Sequence, residues 1–191
     1  MANERLNILR VLIENQEARF SIRKLSQLRK INYKSAYQAV MHLEKEGAIT
    51  LERLGNNTNC SFSQKSNPTV YLAEHARRTD LLKDKDLKIV FQALTKLEFP
   101  LIALIFGSHA KKTAGKHSDI DLLIITEEQH EGKVQTTLSL IPLYLHPTII
   151  GYGDFISMAK SKEFTVVSEA MKNNIILVGI EEYYRMLENA R

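Results

Sequence analysis

LIALIFGSHAKKTAGKHSDIDLLII, residues 101–125, sets an apolar run, a Gly-Ser pair, a basic loop and a second apolar run in line. Residues 101–106 are bounded by Pro100 and Gly107 and read as a short buried strand. Gly107 and Ser108 then open a turn or short helix. A glycine there lets the backbone approach a phosphate with no Cβ in the way, while amides and a serine hydroxyl donate to the anion. Asp119 and Asp121 head the second run. On a strand they share one face about 7 Å apart, since alternate residues lie on the same side at roughly 3.3 Å per residue. Two carboxylates so placed repel one another unless a cation sits between them. Their hard oxygens suit Mg²⁺, completed by waters and nucleotide phosphates. A cap or turn role is the competing reading of the aspartates. Lys111, Lys112 and Lys116 offset phosphate charge and His109 and His117 hydrogen-bond it, or all five are ordinary exposed loop residues.

Downstream, residues 127–132 are polar and turn-like, and 134–140 are helical. LYLHPTIIG, 143–151, reads as a third strand that ends at Gly151, with Pro147 pushing it to a sheet edge or a bulge. Helices are expected over 154–160 and 163–173, a short strand over 175–178, and a last helix over 181–190. Tyr183 and Tyr184 are packing or surface residues.

Gly107-Ser108, ten residues, then Asp119-x-Asp121 within strand-turn-strand resembles the minimal nucleotidyltransferases of the DNA polymerase β superfamily, whose motif is GS-x10-DxD. The resemblance covers about 90 residues. It implies that Gly107 and Ser108 hold a triphosphate and that Asp119 and Asp121 bind one or two Mg²⁺ ions. In-line attack on the α-phosphorus then transfers a nucleoside monophosphate and expels pyrophosphate. The implied substrate is an NTP, ATP first, and the acceptor a hydroxyl on protein or RNA. Tyrosine hydroxyls such as those of Tyr183 and Tyr184 are acceptors in related toxin–antitoxin systems. A third carboxylate commonly stands on the following strand in this family, facing the pair, whereas 144–150 offers only His146, Pro147 and Thr148. A general base of this kind contributes about 10²–10⁴-fold in rate. His146 or Asp154 would replace it, or the site binds nucleotide and performs little chemistry.

Upstream, residues 69–98 predict two helical segments interrupted around 83–86, the second ending at Phe99-Pro100 and packing on the sheet. The KDKD run is a solvated turn, and the first segment couples the domains or forms a dimer contact. Pro68 breaks the preceding pattern and marks a boundary.

Leu6, Leu9 and Ile13 recur at helical spacing over 4–15. Ser21 is an N-cap for a short helix carrying Ile22, Leu25 and Leu28. Asn32 caps a third helix with Ala36, Ala39, Val40 and Leu43 on its buried face and Gly47 as its left-handed stop. From there the period becomes two, and AITLERL and TNCSFSQ form a hairpin about residues 55–57. This third of the chain resembles the winged helix-turn-helix of bacterial and archaeal regulators. The resemblance implies that the third helix enters a major groove with Asn32, Tyr33, Lys34, Ser35, Tyr37 and Gln38. Lys34 would serve a phosphate, and Gln38 and Asn32 an adenine edge. Arg23, Lys24, Arg29, Lys30 and Arg53 supply further backbone contacts. Winged helices also mediate protein contacts, and Tyr33 and Tyr37 at i, i+4 suit mutual packing as well as DNA.

The 191 residues are 44% hydrophobic and 25% charged with a net charge of +4, a folded chain whose mild basic excess permits nucleic-acid binding. Cys60 is the single cysteine, so neither an intramolecular disulfide nor a cysteine zinc site forms, and a reducing cytoplasm fits. No apolar run approaches the roughly 20 residues that span a bilayer. The expected fold is α/β (α+β): a winged helix-turn-helix over 1–66, a helical connector over 67–98 and a nucleotidyltransferase domain with a mixed sheet over 99–191. Its expected function is nucleotidyl transfer by a DNA-binding protein. The alternative is a catalytically weak, nucleotide-sensing transcriptional regulator, or the antitoxin of a HEPN-type toxin.

Overall fold

The computed structural model describes residues 2–55, 57–115, 118–161 and 163–189. The chain divides into two compact units, Met1–His75 and Ala76–Arg191. No helix among the described residues is long and apolar enough to cross a membrane.

The first unit contains α1 (Ala2–Glu14), β1 (Phe20–Ser21), α2 (Ile22–Arg29), α3 (Tyr33–Lys45), β2 (Ile49–Leu54) and β3 (Asn57–Phe62). The apolar stripes expected of the helices meet in its core, where Leu9, Leu12, Leu25, Ala36, Val40 and Leu43 are wholly buried. Ser21 Oγ accepts from the Lys24 amide at 3.2 Å and starts α2. Asn32 Oδ1 accepts from the Ser35 amide at 2.8 Å and starts α3. Gly47, at φ +74°, stops α3 as the Ala48 amide donates to the Leu43 carbonyl. Lys30 adopts a left-handed conformation (φ 53°) that ends α2.

Strands β2 and β3 form the expected hairpin, with Ile49 opposite Phe62 and Leu54 opposite Asn57. Asn57 already belongs to β3, and Asn56 lies outside the described residues. The short β1 is an addition to the sequence reading. It pairs antiparallel with β3, Phe20 opposite Cys60, and makes a three-stranded sheet of order β1-β3-β2.

Helix α4 (Pro68–Leu81) follows, with Pro68 as its first residue, a position where a missing amide costs nothing. The division between units falls inside it.

The second unit holds α5 (Lys85–Leu94), β4 (Ile102–Ile105), α6 (Gly107–Ala110), β5 (Ile120–Ile125), α7 (Glu128–Ser139) and β6 (Leu145–Ile150). It is completed by α8 (Tyr152–Lys160), α9 (Val166–Lys172), β7 (Ile175–Val178) and α10 (Ile180–Asn189). Its sheet has the order β6-β5-β4-β7, mixed in direction: β5 runs parallel to β6, and the β4 pairs are antiparallel. One face packs Ala103, Ile105, Leu122 and Ile124 against Leu87, Val90 and Leu94 of α5 and Val134 and Leu138 of α7.

Three expected helix boundaries move. α5 ends at Leu94, where Thr95 Oγ1 turns back onto the Phe91 and Gln92 carbonyls. The KDKD turn includes a cap, since Asp84 Oδ1 accepts from the Asp86 amide at 2.8 Å. Residues 128–132, expected as a turn, are the first part of α7. Glu128 and Glu131 favour its amino end, and the His130 ring stacks on Phe99 at 4.0 Å. Residues 163–165, expected as helix, precede α9, because Thr165 and Ser168 form a capping box that fixes its start.

Strand β6 is the sheet edge, as Pro147 predicts. The Ile120 amide donates to Tyr144 and the Thr126 amide to Ile150, so the even-numbered residues of β6 face β5. Pro147, being odd, turns its nitrogen toward the open edge.

Candidate active site

The antiparallel register of β4 and β5 builds the site. Ile105 stands opposite Leu122, and the Phe106 amide donates to the Asp121 carbonyl at 3.2 Å. The residue after Phe106 therefore leaves β4 beside the Asp121 side chain. That residue is Gly107, at φ +64°, and a Cβ there would collide with the Asp121 carboxylate. A glycine is required twice over, by its backbone angle and by the carboxylate that fills the side-chain space.

Asp121 is half-buried within β5 and Asp119 is exposed just ahead of the strand's first residue, Ile120. The expectation that both lie inside the strand is thus met by Asp121, while Asp119 stands at its threshold. Ser108 is the second residue of the single turn α6, whose amino end has no side-chain cap. The Ser108 carbonyl accepts from the Thr113 amide at 2.9 Å and closes the turn. Gly107, Ser108 and Asp121 come together at one end of the β4–β5 pair.

Of the basic loop, Lys111 Nζ lies 3.6 Å from the Glu169 carboxylate of α9, a half-exposed pair of small energetic weight. Lys112 takes a left-handed conformation (φ 59°) and is exposed. A ring nitrogen of His109 lies 3.3 Å from the Ser118 carbonyl, and Ser118 Oγ accepts from the Gly115 amide at 2.8 Å. These contacts tie His109 and Ser118 into the loop's own framework. Lys116 and His117 lie outside the described residues.

Strand β6 brings the residue that sequence reading left open. In the parallel register Asp121 is directly opposite His146, and His146 Nδ1 stands 3.4 Å from Asp121 Oδ1. Asp154 is placed differently. It lies in the first turn of α8, exposed, with its carboxylate over Gly151 at that helix's own amino end. Tyr183 and Tyr184 are packing residues: both are buried, their rings meet edge to face at 5.5 Å, and Asn174 donates to the Tyr183 hydroxyl at 3.2 Å.

The donor set fits a hard divalent cation. Among the described residues no three His, Cys, Asp or Glu side chains gather as an all-protein cage. Mg²⁺ characteristically takes one or two carboxylates and completes its shell with water and substrate phosphates. Asp119 and Asp121 supply that class of ligand.

In the first unit, Lys34, Tyr37 and Gln38 are exposed on α3, Ser35 is half-exposed near its start, and Arg53 is exposed on β2. The Tyr33 and Tyr37 rings lie 6.4 Å apart, tilted by 30°, and both remain open to solvent.

No curated protein and no solved structure matches the chain significantly. The family model described as polymerase beta, nucleotidyltransferase matches residues 85–183 of the 191, from the first residue of α5 into α10. That span takes in Gly107, Ser108, Asp119, Asp121 and the whole four-stranded sheet, and it places the chain in the polymerase beta nucleotidyltransferase family.

Proposed function

We propose that the protein transfers a nucleoside monophosphate from an NTP, ATP first among them, to a protein or RNA hydroxyl, with Mg²⁺ held by Asp119 and Asp121. The observation that carries this is the seating of the Asp121 carboxylate against Gly107, which joins the metal-binding and phosphate-binding halves of the motif. Gly107 and Ser108 present the α6 turn to the triphosphate, and Lys111 exchanges Glu169 for phosphate charge while Lys112 adds a second cation. A divalent cation held there would offset the phosphate charge and polarise the phosphoryl oxygens.

The first unit serves as a winged helix that binds DNA. Between Glu17 and Glu44 the chain has six Lys or Arg residues and no acid. All six, Arg19, Arg23, Lys24, Arg29, Lys30 and Lys34, are exposed. Such a stretch suits a polyanion. Lys34 and Ser35 hold phosphate, Tyr37 and Gln38 face the groove, and Arg53 follows from the hairpin. A cytoplasmic setting and a homodimer made through α4 belong to the same reading.

A second reading is favoured by one observation, that β6 carries no Asp or Glu. It makes the protein a regulator, or the antitoxin of a HEPN-type toxin, that senses nucleotide with little turnover. Incubation with labelled NTPs and Mg²⁺ decides between them. Labelled protein or RNA with released pyrophosphate, abolished by Asp119→Ala, supports the transferase, whereas tight nucleotide binding without turnover overturns it. For DNA, retardation of the operon fragment that weakens with salt, with a slope reduced by about one on Lys34→Ala, is expected. Absence of any retardation overturns that role.

A further inference from the structure

We propose that His146 is a nitrogen ligand of the divalent cation held at Asp121, so that an imidazole occupies the shell beside the carboxylate and tilts the site toward Mn²⁺ over Mg²⁺. The proposal rests on the metal-dependent reading of the site given above.

Three observations carry it. The first is register: parallel pairing sets His146 directly across from Asp121, on the one strand next to β5 on that side. This placement is built into the sheet rather than reached by a loop.

The second is distance and direction. Asp121 Oδ2 faces Gly107, which leaves Oδ1 as the oxygen that meets β6, and His146 Nδ1 is 3.4 Å from it. That exceeds the roughly 2.7–3.2 Å of a well-formed N–H···O bond. Two donors on adjacent sites of one octahedral ion, each about 2.1 Å from it, stand about 3 Å apart. The pair is therefore already close to the spacing of atoms that share a cation.

The third is what surrounds the pair. The His146 side chain is 78% exposed, so its ring can turn toward an ion without repacking the sheet. Leu145–Ile150 offers no acid, which leaves His146 as the strand's donor of highest metal affinity. Imidazole suits the later divalent metals, Mg²⁺ prefers oxygen alone, and Mn²⁺ accepts both. One nitrogen in the shell thus lowers the site's preference for Mg²⁺ without closing the positions that water and phosphate need.

Pulsed electron paramagnetic resonance of Mn²⁺ bound to the full chain tests this. With Mn²⁺ alone as the probe, wild type is expected to show nitrogen modulation that changes on [¹⁵N]histidine labelling. The signal should vanish in His146→Asp, which still binds Mn²⁺. The chain has six histidines, and the variant assigns the signal to one of them. Competition titrations should show the ratio of Mn²⁺ to Mg²⁺ affinity falling about tenfold in His146→Asp, as when a metal's immediate support is altered. Mn²⁺ bound by wild type and lost in Asp121→Asn, but without histidine nitrogen coupling, overturns the role of His146 and leaves the cation site standing. No Mn²⁺ binding by wild type overturns both.

Discussion

Gly107 and Asp121 share one volume: the carboxylate of the second lies where the first would carry a Cβ. Gly107→Ala forces either the left-handed backbone or the carboxylate to move. A left-handed L-residue costs about 1–2 kcal/mol, which denaturant unfolding should register. Mn²⁺ binding should fall more than the stability loss accounts for, since Asp121 is displaced from its seat.

Gly179 is constrained differently. It sits at φ +76°, and a Cβ there would meet the Leu101 carbonyl oxygen at 2.9 Å and Ile102 Cγ1 at 3.0 Å. The first obstacle is backbone just ahead of β4 and cannot swing away as a side chain would. Gly179→Ala should lose about 2–4 kcal/mol, from backbone strain and overpacking together. Gly132 is the contrast, within α7 with open space around it, and Gly132→Ala should gain about 0.5–1 kcal/mol. Chemical denaturation of the two variants gives opposite signs.

Asn32 closes the amino end of α3 through its bond to the Ser35 amide. Asn32→Ala should cost about 1 kcal/mol. Because Lys34 and Ser35 begin the same turn, hydrogen exchange at the Ser35 amide should quicken.

Cys60 is fully buried at the centre of the three-stranded sheet, and burial pushes its thiol from 9.0 up to about 11. The folded value exceeds the unfolded one, so this stabilisation is complete below about pH 9 and is lost as pH rises toward 11. The native thiol should resist iodoacetamide at pH 8 and react on unfolding. Between pH 9 and 11 the unfolding free energy should drop by up to about 1.4 kcal/mol per pH unit relative to Cys60→Ala, which lacks the group.

Local signals were legible in the chain. Ser21, Asn32 and Gly47 act within one helical turn of themselves, and each does what its residue type predicts. The runs at 101–106 and 120–125 are apolar enough to declare buried strands, and Pro147 marks an edge. What escaped depends on distant partners. β1 is two residues long and exists because Phe20 and Ser21 find Cys60 and Asn59 some forty residues away. The start of α7 was hidden by Gly132 and a polar run, while the stacking of His130 on Phe99 links residues that no period connects. The site divides the same way. Its motif residues are written in sequence, but the pairing of Asp121 with His146 follows from parallel register, which strand composition does not encode. Likewise the phosphate-side glycine was expected to make room for a ligand, and it also makes room for Asp121.

Pro147 has a consequence for self-association. An unprotected edge strand offers a neighbouring chain a regular ladder of donors and so seeds cross-strand aggregation. Here the outward-facing positions are Leu145, Pro147 and Ile149, and the middle one has no N–H to give. The surviving amides are four residues apart, about 13 Å at strand rise, too far to template a continuous pairing. The strand that carries His146 can thus remain uncovered at the margin of the sheet without inviting a second sheet to grow from it.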